Sequence, residues 1–150
     1  MEKGKPGSSL RVVLDTNVYL SAFLFAESPL FRLWEGAVYR EYTLLVSPAI
    51  LRELARVLKF RFSVLEEEVI TLLKRIVRVA ELVEPRHVPH VVDDADDNHI
   101  LACALSGKAS LIVSGDKDLL RLGEFRGIPI IRPMDFVRTL GADSSRRKWR

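Results

Sequence analysis

Four acidic residues, Asp15, Glu53, Asp97 and Asp116, fall where strands and helices begin or end instead of on solvated faces, a placement that suits a metal site. Asp15 closes the run Val12-Val13-Leu14, and Asp116 follows Leu111-Ile112-Val113 after only Ser114 and Gly115. Both carboxylates are therefore expected at the C-terminal edge of buried strands, where open α/β sheets bind ligands. An oxygen-only donor set, in a chain with a single cysteine and no paired histidines, selects hard cations such as Mg²⁺ or Mn²⁺ over zinc. His87 and His90 lie in a proline-flanked loop and His99 points off the Asp97 stripe, so no histidine is expected to bind metal. One or two hard cations orient a water, lower its pKa and stabilise charge on phosphate oxygens, and the expected chemistry is hydrolysis of a phosphodiester. Asp15, Asp97 and Asp116 would hold metal directly, with Glu53 binding a second ion or positioning the attacking water. Asn17 and Ser114 would hydrogen-bond the carboxylates or their waters, and Asp96 and Asp118 would assist.

Each acid also has a plainer reading. Ile100, Leu101, Ala104 and Leu105 follow Asp97 at +3, +4, +7 and +8, so Asp97 opens the core-facing stripe of its helix. A carboxylate facing the interior is costly unless paired or bound to a cation. Against this, Asp94 and Asp97 resemble a capping box, worth about 0.3–1 kcal/mol through the helix dipole. The run Asp93-Asp94-Ala95-Asp96-Asp97 nevertheless packs four acids into five positions, more than capping needs and mutually repulsive without a cation. The third ligand stays open between Asp97 and its neighbour Asp96. Glu53 flanks the stripe Ile50, Leu51, Leu54, Val57 and Leu58, or else it is a solvated glutamate paired with Arg56 or Arg52. Asp116 could simply cap the short helix that begins at Lys117, with Gly115 permitting a tight turn before it.

These residues need a scaffold of alternating elements. Short β-branched runs predict strands at 11–15, 43–46, 80–83, 110–113 and 128–131. Helical periodicity predicts helices at 16–25, 28–40, 48–59, 65–79, 95–106, 117–122 and 133–140, with a loop over 84–94. Ser47 as N-cap and Pro48 at the first helical position open the third helix. Strands separated by helices imply βαβ units and a parallel sheet in one α/β domain over 10–140, flanked by a disordered tail at 1–9 and a basic tail at 141–150. The tail Arg146-Arg147-Lys148-Trp149-Arg150 carries one aromatic that could stack on a base. No apolar run approaches the roughly 20 residues of a membrane span, and no secretory signal follows Met1 to Ser9, so a cytoplasmic home is expected. Cys103, flanked by Ala102, Ala104 and Leu105, reads as a small buried hydrophobe. Net charge is only +3, but with four of the 20 acids gathered in a pocket the remaining 16 face 23 lysines and arginines. Such a basic rim around an acidic hole suits a polyanion cut at a metal centre.

The order Asp15-Thr16-Asn17, Glu53, Asp97 and Ser114-Gly115-Asp116 resembles the PIN domain across nearly the whole folded unit. The stretches Asp96-Asp97-Asn98-His99-Ile100-Leu101-Ala102-Cys103-Ala104-Leu105 and Val113-Ser114-Gly115-Asp116-Lys117-Asp118-Leu119-Leu120 are similar to the VapC-like toxin group. The resemblance implies a three-layer α/β/α sandwich around a mostly parallel sheet and Mg²⁺- or Mn²⁺-dependent endoribonuclease activity. It also implies homodimerisation and a small antitoxin that occludes the site. Ser114 stands where the family often has threonine. Other chemistries fit less well. A haloacid dehalogenase-type phosphatase needs an acid at position 17, which is Asn17, and a receiver-like phosphoacceptor needs paired acids around the first strand. The Gly-x-Gly-x-x-Gly turn of dinucleotide binding and the Gly-x-Ser-x-Gly elbow of serine hydrolases are missing. A non-cleaving RNA- or protein-binding scaffold and a DNA-directed nuclease are the remaining alternatives.

Overall fold

The computed structural model describes residues 10–141. The amino-terminal tail expected at 1–9, and all but Gly141 of the basic tail expected at 141–150, lie outside the described residues. The elements run β1 (Arg11–Leu14), α1 (Thr16–Leu24), α2 (Phe31–Val38), β2 (Thr43–Val46), α3 (Pro48–Phe60), α4 (Glu66–Val79), β3 (Glu81–Leu82), α5 (Ala95–Ser106), β4 (Leu111–Val113), α6 (Lys117–Leu122), β5 (Glu124–Phe125), β6 (Ile128–Ile131) and α7 (Pro133–Leu140). They form one six-stranded sheet in the order β3-β2-β1-β4-β6-β5, parallel throughout except for β5 against β6.

β1 lies at the centre, with Val13 beside Leu45 of β2 on one flank and Ile112 of β4 on the other. Consecutive strand residues point to opposite faces, yet Val12 and Val13 are both 0% exposed, so helices cover the sheet on both sides. From β1 the chain first winds outward to β2 and β3, then returns through α5 to β4 on the other side. The C-terminal ends of β1 and β4 therefore flank the point where the winding reverses, which opens a crevice there.

Most predicted elements appear within two residues of their expected bounds, with α2 shorter than the expected 28–40. One element was not expected: β5 and β6 form a hairpin in which Phe125 pairs with Ile128 across the loop Arg126-Gly127. Both loop residues have positive φ, 51° and 84°, as in the type I′ turn that matches the twist of a two-residue hairpin. Arg at the first of these positions hides a turn that Asn or Asp would have announced. A buried ion pair, Arg32–Glu41 at 2.8 Å, was also not anticipated. Arg32 Nε donates to the Gly141 carbonyl at 3.0 Å, tying α2 to the end of α7.

Helix α5 is buried nearly all round, because Ala102 and Cys103 are covered along with the stripe of Ile100, Leu101 and Ala104. Burial pushes the Cys103 thiol up to about 12, consistent with an inert packing role. Leu101 is 0% exposed in this cluster, and Leu101→Ala should destabilise the protein by about 2–5 kcal/mol in a denaturant melt. A loss below about 1 kcal/mol would remove α5 from the core as described.

Candidate metal centre

The sheet ladder continues past the last residues of its central strands and thereby fixes the first ligands. The Asp15 amide donates to the Val113 carbonyl at 2.9 Å, and the Ser114 amide donates to the Ile131 carbonyl at 3.0 Å. Asp15 and Ser114 thus emerge side by side at the crevice. The Ser114 hydroxyl, fully buried, donates to Asp15 Oδ2 at 2.6 Å and accepts from the Asp116 amide at 2.9 Å. A single serine therefore links the acid after β1 to the acid after β4. Asp116 Oδ2 in turn caps α6, accepting from the Asp118 and Leu119 amides at 2.9 and 3.1 Å. Capping and ligation are compatible here, since the cap holds one oxygen and orients the other.

Asp97 is positioned by α5. Asp94 is its N-cap, accepting from the Asp96 and Asp97 amides at 2.8 and 3.4 Å, which leaves the Asp97 carboxylate unused by the cap. Asn98, only 4% exposed, holds the preceding loop against the helix: its Oδ1 accepts from the Val91 and Val92 amides at 3.0 Å each, and its Nδ2 donates to the Val92 carbonyl at 2.8 Å. Sequence reasoning assigned Asn98 no role. The available signal was a helix-averse amide next to Asp97 at the start of an apolar helix.

The carboxylate oxygens of Asp97, Asp116 and Asp118 lie within 4.8 Å of one another. Asp15 joins this group through Ser114 and through charge: its own is felt at Asp97, and that of Asp116 is felt at Asp15. Among the described residues, Asp15, Asp97 and Asp116 take part in no ion pair. The other acids do: Glu53 pairs with Arg56, Asp96 with Arg56 at 3.3 Å, and Asp118 with Arg121 at 2.9 Å. Of the two neighbours Asp96 and Asp97, Asp97 is the one buried toward the other acids, while the Asp96 side chain is 42% exposed beside Arg56.

Several expected roles shift. Glu53 stands outside the group of three, half-buried, its charge answered by Arg56 one turn along α3 and opposed by Asp96 of α5. Asp118, expected only to assist, belongs to the group by distance. Asn17 is exposed and its side chain makes no hydrogen bond among the described residues, although its amide helps draw the Asp15 carboxyl down. Gly115 does not have positive φ, and a Cβ there would meet nothing within 4 Å, so the turn does not require glycine. His99 is half-buried beside Pro48 and Arg52, away from the acids.

Electrostatics follow from this packing. Burial raises the Asp15 carboxyl, and the charge of Asp116 adds to the rise; the Ser114 hydroxyl and the Thr16 and Asn17 amides oppose it. Asp97 is pushed up to about 8 by burial first, then by hydrogen bonding to Asp116 and the charges of Asp116, Asp94 and Asp15. Its Oδ2 is buried without a hydrogen-bond partner. An orphaned buried oxygen within an all-carboxylate donor set is what a hard divalent cation satisfies, and Asp97, Asp116, Asp118 and Asp15 fit such an ion.

The folded protein holds the Asp97 proton more tightly than the unfolded chain does, so its contribution to stability is complete at low pH and is lost as pH rises through about 8. With chelator present, the melting temperature should fall from about pH 5 to pH 8. Asp97→Asn should flatten that fall, and Mn²⁺ should restore the wild-type value at the alkaline end. A chelated protein whose melting point ignores both pH and Mn²⁺ contradicts this account of the site.

Known proteins resemble this chain in sequence and in fold. The sequence profile of the PIN domain matches residues 11–118. The uncharacterised protein MJ1680 of Methanocaldococcus jannaschii is 29% identical over 128 residues, spanning 81% of this chain and 78% of that one. Among solved structures, PAE2754 of Pyrobaculum aerophilum superposes with a TM-score of 0.60 at 16% identity over 93% of this chain and 94% of its own. VapBC2 of Rickettsia felis, bound to a promoter DNA fragment, gives 0.57 at 15% identity over 82% and 98%. The PIN domain endonuclease Utp24 gives 0.50 at 23% identity over 81% and 84%. At these identities the structures attest to the fold, while the profile spans well over half of the sequence. PIN domains are generally metal-dependent nucleases. On the strength of that profile and of the shared fold, this chain belongs to the PIN domain family.

Proposed function

We propose that the protein is a Mg²⁺- or Mn²⁺-dependent endoribonuclease of the VapC-like toxin group, acting in the cytoplasm as a homodimer and restrained by a small antitoxin. One arrangement carries the catalytic part: Asp97 and Asp116 stand with Asp118 within 4.8 Å near the sheet's reversal point, Ser114 ties Asp15 to Asp116, none of Asp15, Asp97 and Asp116 has an ion pair among the described residues, and a buried Asp97 oxygen is left without a partner. The toxin part draws support from the motif resemblance and from the likeness to VapBC2 of Rickettsia felis. Among the described residues no helix is long and apolar enough to cross a membrane, which suits this setting.

In the reaction, Asp15, Asp97 and Asp116 would hold the ion, with Asp118 beside them. Bound there, a hard divalent cation lowers the pKa of water and offsets the charge that develops on the phosphate oxygens. Ser114 keeps the Asp15 carboxylate oriented through its 2.6 Å hydrogen bond. Glu53, half-buried and raised by burial and by Asp96, positions the attacking water from the side of α3.

Incubation with labelled single-stranded RNA and single-stranded DNA, in Mn²⁺ or in chelator, tests this reading. RNA should be cut only with metal, and DNA should survive; preferential cutting of DNA would instead make the protein a deoxyribonuclease. Asp97→Asn and Asp116→Asn should lower cleavage by more than about 100-fold and abolish the calorimetric signal of Mn²⁺ binding while the fold persists. Ser114→Ala, which removes only the support of Asp15, should cost about 10–100-fold. Full activity in Asp116→Asn would falsify the assignment.

A further inference from the structure

Three adjacent strands, β1, β4 and β6, end at the same edge of the sheet, and the residues that follow them are Asp15, Ser114 and Arg132. Because the Ser114 amide bonds to the Ile131 carbonyl at 3.0 Å, Arg132 leaves the sheet directly beside the loop that carries the acids. A groove of about 420 Å³ opens there, bordered by Gly115 and Arg132, with Leu120 and Met134 among its apolar residues and Ser21 and Ser28 on its polar side. Its volume falls within the roughly 300–1,000 Å³ typical of ligand clefts. A Cβ on Gly115 would meet nothing within 4 Å, so the acid loop presents bare backbone to open space.

Arg132 is an unusual residue for its position. It is the N-cap of α7 yet makes no capping hydrogen bond, and it sets a cation at the positive end of a helix dipole. Its basic neighbours are engaged, Arg121 with Asp118 and Arg138 with Asp135, each at 2.9 Å. Arg132 itself is exposed and has no ion pair or side-chain hydrogen bond among the described residues. Local stability therefore does not account for an arginine here, whereas an anion brought into the groove would.

We infer that this groove seats the nucleotide next to the cleaved bond, with the Arg132 guanidinium on that nucleotide's phosphate and the apolar lining under its sugar or base. The inference rests on the nuclease reading and adds to it the path of the strand. Neighbouring strands of a sheet lie about 4.8 Å apart, which puts Arg132 about 10 Å from Asp15 along the edge. Its phosphate is consequently an adjoining one and not the one over the acids. Guanidinium and phosphate match through paired hydrogen bonds as well as charge. The Ser21 and Ser28 hydroxyls are hydrogen-bonded to each other at 2.8 Å, which leaves one further O–H donor on the polar side.

The test measures binding of a fluorescent single-stranded RNA oligomer to the full chain by anisotropy across a salt series, with Ca²⁺ in place of Mn²⁺. Cleavage kinetics in Mn²⁺ run in parallel. One phosphate contact on a single strand contributes about 0.7 to the slope of log affinity against log salt, which is about five-fold in affinity at 0.1 M. Arg132→Gln should lose that much of both and raise KM with little change in kcat, while Arg132→Lys should recover the slope. Gly115→Leu, with open space and ordinary φ, should fold normally and weaken binding by filling the groove. An unchanged slope and KM in Arg132→Gln, with wild-type RNA cutting intact, overturns this inference alone and leaves the cation for an acidic protein partner. Wild-type protein that neither binds nor cuts the oligomer overturns the nuclease reading together with it.

Discussion

Carboxylates withdrawn from water and pressed toward one another resist ionisation, and the centre of this fold is organised around that resistance. Asp15 and Asp97 are each 6% exposed, Asp116 stands against both, and no arginine or lysine among the described residues pairs with any of the three. An isolated acid could turn toward solvent to relieve the strain. These cannot, because Asp15 is fixed by the β1–β4 ladder, Asp116 by its cap on α6, and Asp97 by the first turn of a helix buried nearly all round. The repulsion is therefore built into rigid elements, and a divalent cation bound there would relieve it.

The acids divide by whether a protein cation answers them. Glu53, Asp96 and Asp118 each have an arginine, and each is more exposed than Asp15 and Asp97. Ser114 marks the boundary on the inner side, spending its only donor on Asp15 and its acceptor on the Asp116 amide. Because that hydroxyl is fully buried, the two strands cannot shift relative to each other without breaking the link.

At the next strand along the same edge the sign of the charge changes. Arg132 follows β6 just as Asp15 follows β1 and Ser114 follows β4, so one side of the sheet presents acids, a bare glycine loop and then an unpaired cation in register. A polyanion laid along that edge meets attraction beside the acids instead of over them. This is the geometry needed to hold a strand while its phosphodiester sits where a metal screens the carboxylates.

Much of this was readable from the chain. Apolar runs ending in acids placed Asp15 and Asp116 at strand ends, and the +3, +4, +7, +8 spacing placed Asp97 on the buried face of α5, because both signals are local and periodic. The β5–β6 hairpin escaped since Arg126 is a poor advertisement for positive φ, and Asn98 escaped since its partners lie in an irregular loop. The Glu53–Arg56 pair is local to α3 and was one of the two readings the sequence offered, whereas the contact of Arg56 with Asp96 and the approach of Asp118 to Asp97 depend on how α3, α5 and α6 are placed by the sheet. Periodicity and side-chain chemistry were enough to single out the candidate acids and a parallel sheet to carry them, along with neighbours such as Arg56 that could pair with an acid on the same helix. Which acids come together at the crevice was not legible, because Asp15, Asp97 and Asp116 are far apart in the chain and are brought near one another only by the packing of the sheet and its helices.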